Sequence, residues 1–443
     1  MEILRGVLDK AAQILLEYPL CDSCLGRQFA ALGRGLSNRE RGRAIKTLLL
    51  MECVRGVSVL DEGLLKALAK CGFRPALEVS RERHLDVEVA RCYICNGLME
   101  ADELEAWADR VVEVLRHYEF DTFQLGCRLE SEMLAREEEL RAKFKLEYGE
   151  SIKGEFNREV GKLVQRKTGK AFDPRSPDVL AIVDVRRGRV EVEARPLFVY
   201  GRYRKLVRGI PQSVWLCSSC RGRGCPECNW TGRKYPDSIE EYISLPIVEA
   251  AEGRGYKFHG AGREDLDVRT LGSGRPFVVE VKEPRRRKLD LKELEEEINK
   301  RAGGKVEVFG LRFADRRTVR RIKRLAEIST KVYRVIATFD REIEDEELRV
   351  LEDALSNVTI KQRTPLRVLH RRADRVRSKV VYGVRARKLG ENRVELLVEC
   401  QGGLYVKEFV TGDGGRTRPS VAEILGARVL EVTVDVLGVE EVE

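Results

Sequence analysis

Phe258-His-Gly-Ala-Gly-Arg-Glu-Asp-Leu-Asp-Val-Arg-Thr-Leu-Gly-Ser-Gly-Arg-Pro-Phe277 is the stretch on which the reading of this chain turns. Glycines at 260 and 262 precede, and glycines at 272 and 274 follow, a short segment in which charged and apolar residues alternate. A period of two sends successive side chains of an extended segment to opposite faces. Asp265 and Asp267 are therefore expected on one face, Leu266 and Val268 on the other. Charged side chains on a short, glycine-flanked strand point more naturally into a cleft than into a core. The competing reading is an exposed acidic–basic turn making surface salt bridges, which are common and individually weak.

Around this segment, the patterning predicts helices near 239–252, 288–301, 315–327 and 343–356. Strands are expected at 277–283, 305–313, 331–339, 379–387, 393–400 and 428–436. The irregular alternation describes an α+β domain over 236–443, with a large, mostly antiparallel sheet and flanking helices. Towards the N-terminus, Leu4, Val7, Leu8, Ala11 and Leu15 mark an amphipathic helix over 2–18, and further helices are expected at 38–53 and 102–118. An alternating strand, Thr122–Leu129, precedes a charged helical stretch, 131–167. After Pro177 comes a hairpin of Val179–Val185 and Val190–Glu193 about Arg187-Gly188. The chain then reaches Tyr200-Gly-Arg-Tyr-Arg-Lys205, read as a basic loop in which tyrosines stack on RNA bases while Arg202, Arg204 and Lys205 hold phosphates. The expected division is a helical zinc-binding region at 1–99, a small α/β RNA-binding unit at 100–206, a cysteine-rich linker at 207–235 and the C-terminal domain at 236–443.

Eight of the twelve cysteines form CxxC pairs: Cys21/Cys24, Cys92/Cys95, Cys217/Cys220 and Cys225/Cys228. Two residues between thiolates let a tight turn aim both sulfurs at one metal, and two such turns complete a tetrahedral zinc site. The first two pairs are separated by residues 25 to 91, 67 in all, which a folded domain bridges. The four histidines stand at no ligand spacing from any pair, so four-thiolate sites are expected. Cys53, Cys71, Cys127 and Cys400 are left over as small apolar residues.

A length of 443 residues calls for two or three domains, and 43% hydrophobic residues suffice for their cores. Charged residues reach 35%, against about 25% in typical soluble proteins. With Asn and Gln sparse, this fits thermophilic ion-pair networks. The formal charge of +9 concentrates at Arg285–Lys288, Arg316–Arg324 and Arg371–Arg377, which points to a polyanionic partner. No apolar run approaches the length of a membrane span, and no signal-peptide core stands at the N-terminus. A cytoplasmic monomer is expected.

Here a resemblance sharpens the reading. Gly262-Arg263-Glu264-Asp265 resembles the GR-x-D motif of pseudouridine synthases, Lys331-Val332-Tyr333 their K-x-Y motif, and Gly403-Leu-Tyr-Val-Lys407 their third motif. With Thr364–Arg372 and Tyr405–Pro419, the set resembles the archaeal and eukaryotic tRNA pseudouridine-54/55 synthases. Ser176-Pro177-Asp178, the hairpin and Tyr200–Lys205 resemble a THUMP domain, and cysteines 217–228 look like an archaeal feature of that family. The resemblance implies a C-terminal pseudouridine synthase fold behind a zinc- and THUMP-containing region, tRNA as partner, structural zinc and no organic cofactor. It assigns Asp265 as nucleophile, Lys407 as its basic partner, and Tyr333 to stack on the base or take its C5 proton. Arg263 would hold the flipped nucleotide, and Tyr405 and Arg416 would contact RNA. Two other readings stay open. Asp267 with Glu280-Val281-Lys282 fits the D…E-x-K pattern of Mg²⁺ nucleases; the alternative is a non-catalytic zinc-containing tRNA-binding protein. A THUMP-bearing methyltransferase is disfavoured, because no glycine-rich nucleotide-binding turn follows the module.

Overall fold

The computed structural model describes residues 2–55 and 59–439. They fall into two units, Met1–Arg195 and Pro196–Glu443. Side chains of residues 2–5, 59–61, 325–328, 371 and 439 lie outside the description, and with them the contribution expected of Leu4.

In the first unit, strands β1 (Thr122–Arg128), β2 (Ala171–Phe172), β3 (Val179–Asp184) and β4 (Arg189–Ala194) form a sheet of order β2-β1-β3-β4. β1 runs parallel to β2 and β3, and β3 and β4 form the expected antiparallel hairpin. Phe123 and Leu125 of β1 are buried with Trp107 and Val111 of helix Ala101–Leu115 and Phe156 and Val160 of helix Ile152–Thr168. The same core runs on through Ala11, Ile14, Leu65, Leu68 and Ile94. One core therefore runs across the expected boundary at 99/100, shared by the cysteine-bearing helices and the α/β unit. The helical stretch 131–167 is two helices, Ser131–Phe144 and Ile152–Thr168. Lys145 ends the first in a left-handed conformation (φ 52°), and Ser151 starts the second by accepting from Gly154 N at 3.1 Å.

The second unit adds β5 (Leu197–Lys205), β6 (Gly255–Gly260), β7 (Arg269–Lys282), β8 (Val306–Ala314) and β9 (Thr330–Phe339). It continues with β10 (Val358–Arg363), β11 (Val376–Gly390), β12 (Arg393–Gln401), β13 (Thr417–Arg418) and β14 (Val429–Val439). Their order is β13-β10-β11-β12-β9-β14-β7-β5-β8, with β6 also paired to β7. Among the described residues of this unit, only the short β14–β7 contact is parallel. It is close because Gly272 (φ 53°) has no Cβ, which would stand 1.9 Å from Leu437 O. Two cores flank that seam. On one side Ile243, Ile247 and Ile298 pack against Val199, Tyr203, Phe277 and Val279. On the other, Leu348, Leu351, Phe409 and Leu425 pack against Val335, Leu396 and Val398.

Tyr200–Lys205 is not a loop of the first unit. It is the second half of β5, hydrogen-bonded between β7 and β8, so the boundary lies at Arg195/Pro196 and not after residue 206. The alternation of tyrosine with basic residues is a strand pattern, and the partners that bury it come from far along the chain.

Candidate active site

Residues 261–268 connect β6 to β7 and contain no strand. Gly262 turns with φ 86°, and Val268 N donates to Asp265 O at 3.1 Å, closing a turn. This corrects the expected alternation: Asp265 and Asp267 stand on a loop held by its backbone. Arg275 Nη1 donates to Ala261 O at 2.8 Å and Gln212 Nε2 to Gly262 O at 2.9 Å. Lys205 Nζ donates to Asp265 O (3.2 Å) and Leu266 O (2.7 Å), Gly209 N to Leu266 O (2.9 Å), and Arg208 Nη1 to Asp267 O. Burial pushes the Lys205 ammonium down to about 8. Between the two motif residues, Glu264 turns inward to Arg275 Nε at 2.9 Å, and Tyr203 Oη donates to both its oxygens at 2.9 Å. Glu264, Arg275 and Tyr203 are all buried. Removing one member of such a pair costs about 3–5 kcal/mol, because it leaves a buried charge uncompensated.

The two aspartates meet different cations. Asp265 Oδ2 pairs with Arg367 Nη2 at 2.9 Å, and Arg367 Nε is held by buried Glu408 at 2.6 Å. Partial burial opposes the arginine's charge, but the two carboxylates outweigh it and hold its pKa above the usual value. Lys407 Nζ pairs with Asp267 Oδ2 at 2.5 Å, not with Asp265. Desolvation pushes Asp267 up, yet the bond to Lys407 leaves its carboxyl below the ordinary range. The cation paired with Asp265 therefore comes from Leu366–Arg371 and not from the third motif, and Glu408, the residue after that motif, anchors it. Arg367 stood inside Thr364–Arg372, already singled out as a motif, but one arginine among several there carried no signal of its own. Arg367→Met is accordingly expected to lower turnover by more than tenfold, and Lys407→Met by less, in single-turnover assays on one tRNA transcript.

Tyr333 of β9 is partly buried, and desolvation pushes its phenol well above the ordinary tyrosine value. Asp265 and Glu264 lie within electrostatic reach and add to the effect. Lys331, two residues back, is buried and pushed down to about 8, chiefly by desolvation and then by Arg275. Arg263 is exposed, with its guanidinium 5.3 Å from the centre of the Trp215 ring. Tyr405 Oη accepts from Arg372 Nη1 at 2.9 Å.

Other expected RNA contacts turn out to be internal. Arg202 donates to Ser273 O and Gly274 O and is buried, and Lys205 is wholly enclosed beneath the loop. Arg204 bonds Gly272 O and Glu307, and Arg416 bonds Thr364 O and Asp374. The nuclease triad does not assemble. Thr270 stands opposite Lys205 and Glu280 opposite Phe198, seven steps along β5 or roughly 23 Å, so Asp267 and Glu280 do not share an ion. Glu280 Oε2 instead lies 3.0 Å from His259 Nε2.

The cysteines gather as expected, Cys21, Cys24, Cys92 and Cys95 in the first unit and Cys217, Cys220, Cys225 and Cys228 in the second. In each set the sulfurs lie within 4.8 Å of one another. Sulfur–sulfur distances of 3.7 Å (Cys21–Cys95, Cys225–Cys228) and 3.8 Å (Cys217–Cys225, Cys220–Cys228) are those of a tetrahedron's edge. With metal–sulfur bonds of about 2.3 Å that edge is about 3.8 Å. Backbone N–H groups of Gly224, Cys225 and Gly232 donate to sulfurs of the second set, and Arg27 Nη2 donates to Cys24 Sγ. Either set can therefore hold one metal ion. Of the remaining cysteines, Cys53 and Cys400 are buried, and Cys71 and Cys127 partly so.

Comparison with known proteins agrees with this geometry. Residues 198–443 match the model of the Pus10 C-terminal domain, and residues 107–184 that of the archaeal Pus10 THUMP domain. The tRNA pseudouridine synthase Pus10 of Thermofilum pendens is 48% identical over 437 residues, covering 98% of this chain and 96% of that protein. Those of Methanothrix thermoacetophila and Methanocaldococcus jannaschii are 45% and 44% identical, covering 99% and 97% of this chain and 96% and 94% of theirs. With a domain match over more than half its length and relatives this similar from end to end, the chain belongs to the Pus10 family of tRNA pseudouridine synthases.

Proposed function

We propose that this protein isomerises uridine to pseudouridine in the T-loop arm of tRNA, at position 54, 55 or both, with Asp265 as nucleophile. The observation that carries the reading is the Asp265 carboxylate itself. It is half-exposed, paired with an anchored Arg367, and stands on a loop whose backbone is fixed at five carbonyls. Isomerisation breaks the N1–C1′ bond, turns the base and joins C5 to C1′, with loss of the C5 proton. Arg367 holds the carboxylate aimed through its ion pair and faces it with an opposite charge. Tyr333, kept neutral by burial, stacks on the target base. Its raised proton affinity disfavours the phenoxide that removal of the C5 proton would need. Arg263, exposed beside Trp215, reaches for the flipped nucleotide with Tyr405. The protein acts as a cytoplasmic monomer, and the first unit, which contains the THUMP match, carries part of the tRNA.

The metal proposed for both cysteine sets is zinc, which four thiolates at tetrahedral spacing favour over harder ions. Its role is structural, since no aspartate of the loop joins either set. Incubating the protein with an unmodified tRNA transcript in chelator, followed by nucleoside analysis, tests the function. Pseudouridine in intact tRNA is expected. Cleaved tRNA, or a requirement for added Mg²⁺, rejects the reading.

A further inference from the structure

Helix Arg316–Ile328 follows β8 and carries Arg316, Arg317, Arg320, Arg321, Lys323 and Arg324, all exposed. With 3.6 residues per turn, these six project over about 160° of the helix circumference. Val319 and Ile322 lie on the opposite side and are buried against Phe198, Tyr200, Ala261 and Val278. Ala261 is the residue before Gly262, so the helix is seated on the sheet where β6 and β7 feed the Asp265 loop. Asp315 fixes its start by accepting from Thr318 N at 2.8 Å.

Several exposed arginines elsewhere in the chain pair with nearby carboxylates, as Arg301 does with Glu249 and Glu297, and Arg341 with Glu347. Among the described residues, none of the six cations on this helix makes an ion pair or a hydrogen bond. Arg316/Arg320, Arg317/Arg321 and Arg320/Arg324 are like charges four residues apart, an arrangement that disfavours a helix in isolation. An apolar contact holds that repulsion in place beside the reacting loop. The repeat along the helix is about 6 Å every four residues. A row of cations at that repeat suits a polymer with regularly spaced negative charge better than it suits one small anion.

We propose that the basic face of Arg316–Ile328 is a docking surface for an RNA phosphate backbone, positioning a strand beside the loop that bears Asp265. The surface supplies affinity and register, not base readout, since arginine rows on phosphates carry no sequence information. The proposal rests on the reading of the protein as a tRNA-modifying enzyme and deepens it.

The test uses the full chain carrying Arg316→Gln, Arg320→Gln and Arg324→Gln together, changes that keep side-chain length and helix propensity. A control triple, Arg341→Gln, Arg349→Gln and Lys388→Gln, alters net charge equally at cations already ion-paired. Affinity for an unmodified tRNA transcript is measured against salt, together with kcat and KM for pseudouridine formation. In the first triple, affinity at low salt should fall more than tenfold, and the slope of log K on log salt should shrink by about 2. The latter follows from 0.7–0.9 per lost phosphate contact. KM should rise with kcat unchanged, while the control stays near wild type. Unchanged affinity and slope in the first triple, or an equal loss in the control, overturns the proposal. So does tighter binding of polyglutamate than of tRNA by the wild type. If the wild type makes no pseudouridine while the first triple still loses RNA affinity, the enzymatic reading fails and the docking surface stands.

Discussion

Asp265→Asn is expected to lower pseudouridine formation by more than about a thousandfold, leaving tRNA binding within about twofold of wild type. The asparagine keeps the shape of the side chain and removes the charge and nucleophilicity. What survives is positioning, which does not replace a covalent catalyst. The fold should not suffer, because the loop is held through its carbonyls by Arg275, Gln212, Lys205 and Arg208, none of which depends on the Asp265 carboxylate. Arg367 keeps its bond to Glu408 and stays in place. Asp267→Asn should cost far less, since Asp267 is mostly exposed and its partner is Lys407. Nucleoside analysis of tRNA after a single turnover, with filter binding in parallel, reads both quantities. An Asp265→Asn protein that turns over at the wild-type rate would refute the assignment.

Loss of the metal in the first unit should be nearly as severe, but for folding. Cys24 and Cys95 are fully buried in one core with Leu20, Leu25, Ile94 and Leu98. Behind them, buried Arg27 reaches Cys24 Sγ at 3.3 Å and bridges Glu137 and Glu155 at 2.8 Å each. Binding of a structural zinc by four thiolates is worth about 10–16 kcal/mol at neutral pH, comparable to or above the whole stability of a domain. Cys92→Ser is therefore expected to abolish the cooperative thermal transition of the first unit. Cys225→Ser should disorder only the segment around 217–235, whose ligands sit on a surface loop, and leave the large sheet folded. Freshly purified protein should contain two zinc ions per chain by elemental analysis. Fewer than one ion, or a Cys92→Ser protein that melts like wild type, would refute the structural role.

The local features were legible because local chemistry makes them. The hairpin about Arg187-Gly188, the strands around Tyr333 and Leu396, and the two cysteine sets all follow from period, turn residues and ligand spacing. Asp265 was singled out by the contiguous GR-x-D resemblance, and the structure places it on the β6–β7 loop, paired with Arg367.

What the chain could not reveal by itself depends on long-range pairing. Tyr200–Lys205 looks like a basic RNA loop when its neighbours are unknown. Set between β7 and β8, Lys205 becomes a buried donor that fixes the Asp265 loop, and Arg202 and Arg204 bond the backbone of β7 at Gly272–Gly274. The compact units divide at Arg195/Pro196 for that reason, and one hydrophobic core runs across residues 99 and 100. The partner of Asp265 could not be found from spacing, because Arg367 lies 102 positions away (367 − 265) and is aimed by Glu408 from yet another element. Sequence determined which residue types are present and how each segment is built. Only the tertiary structure decided which charges meet, because an ion pair forms wherever folding brings two side chains within a few ångströms, whatever their separation along the chain.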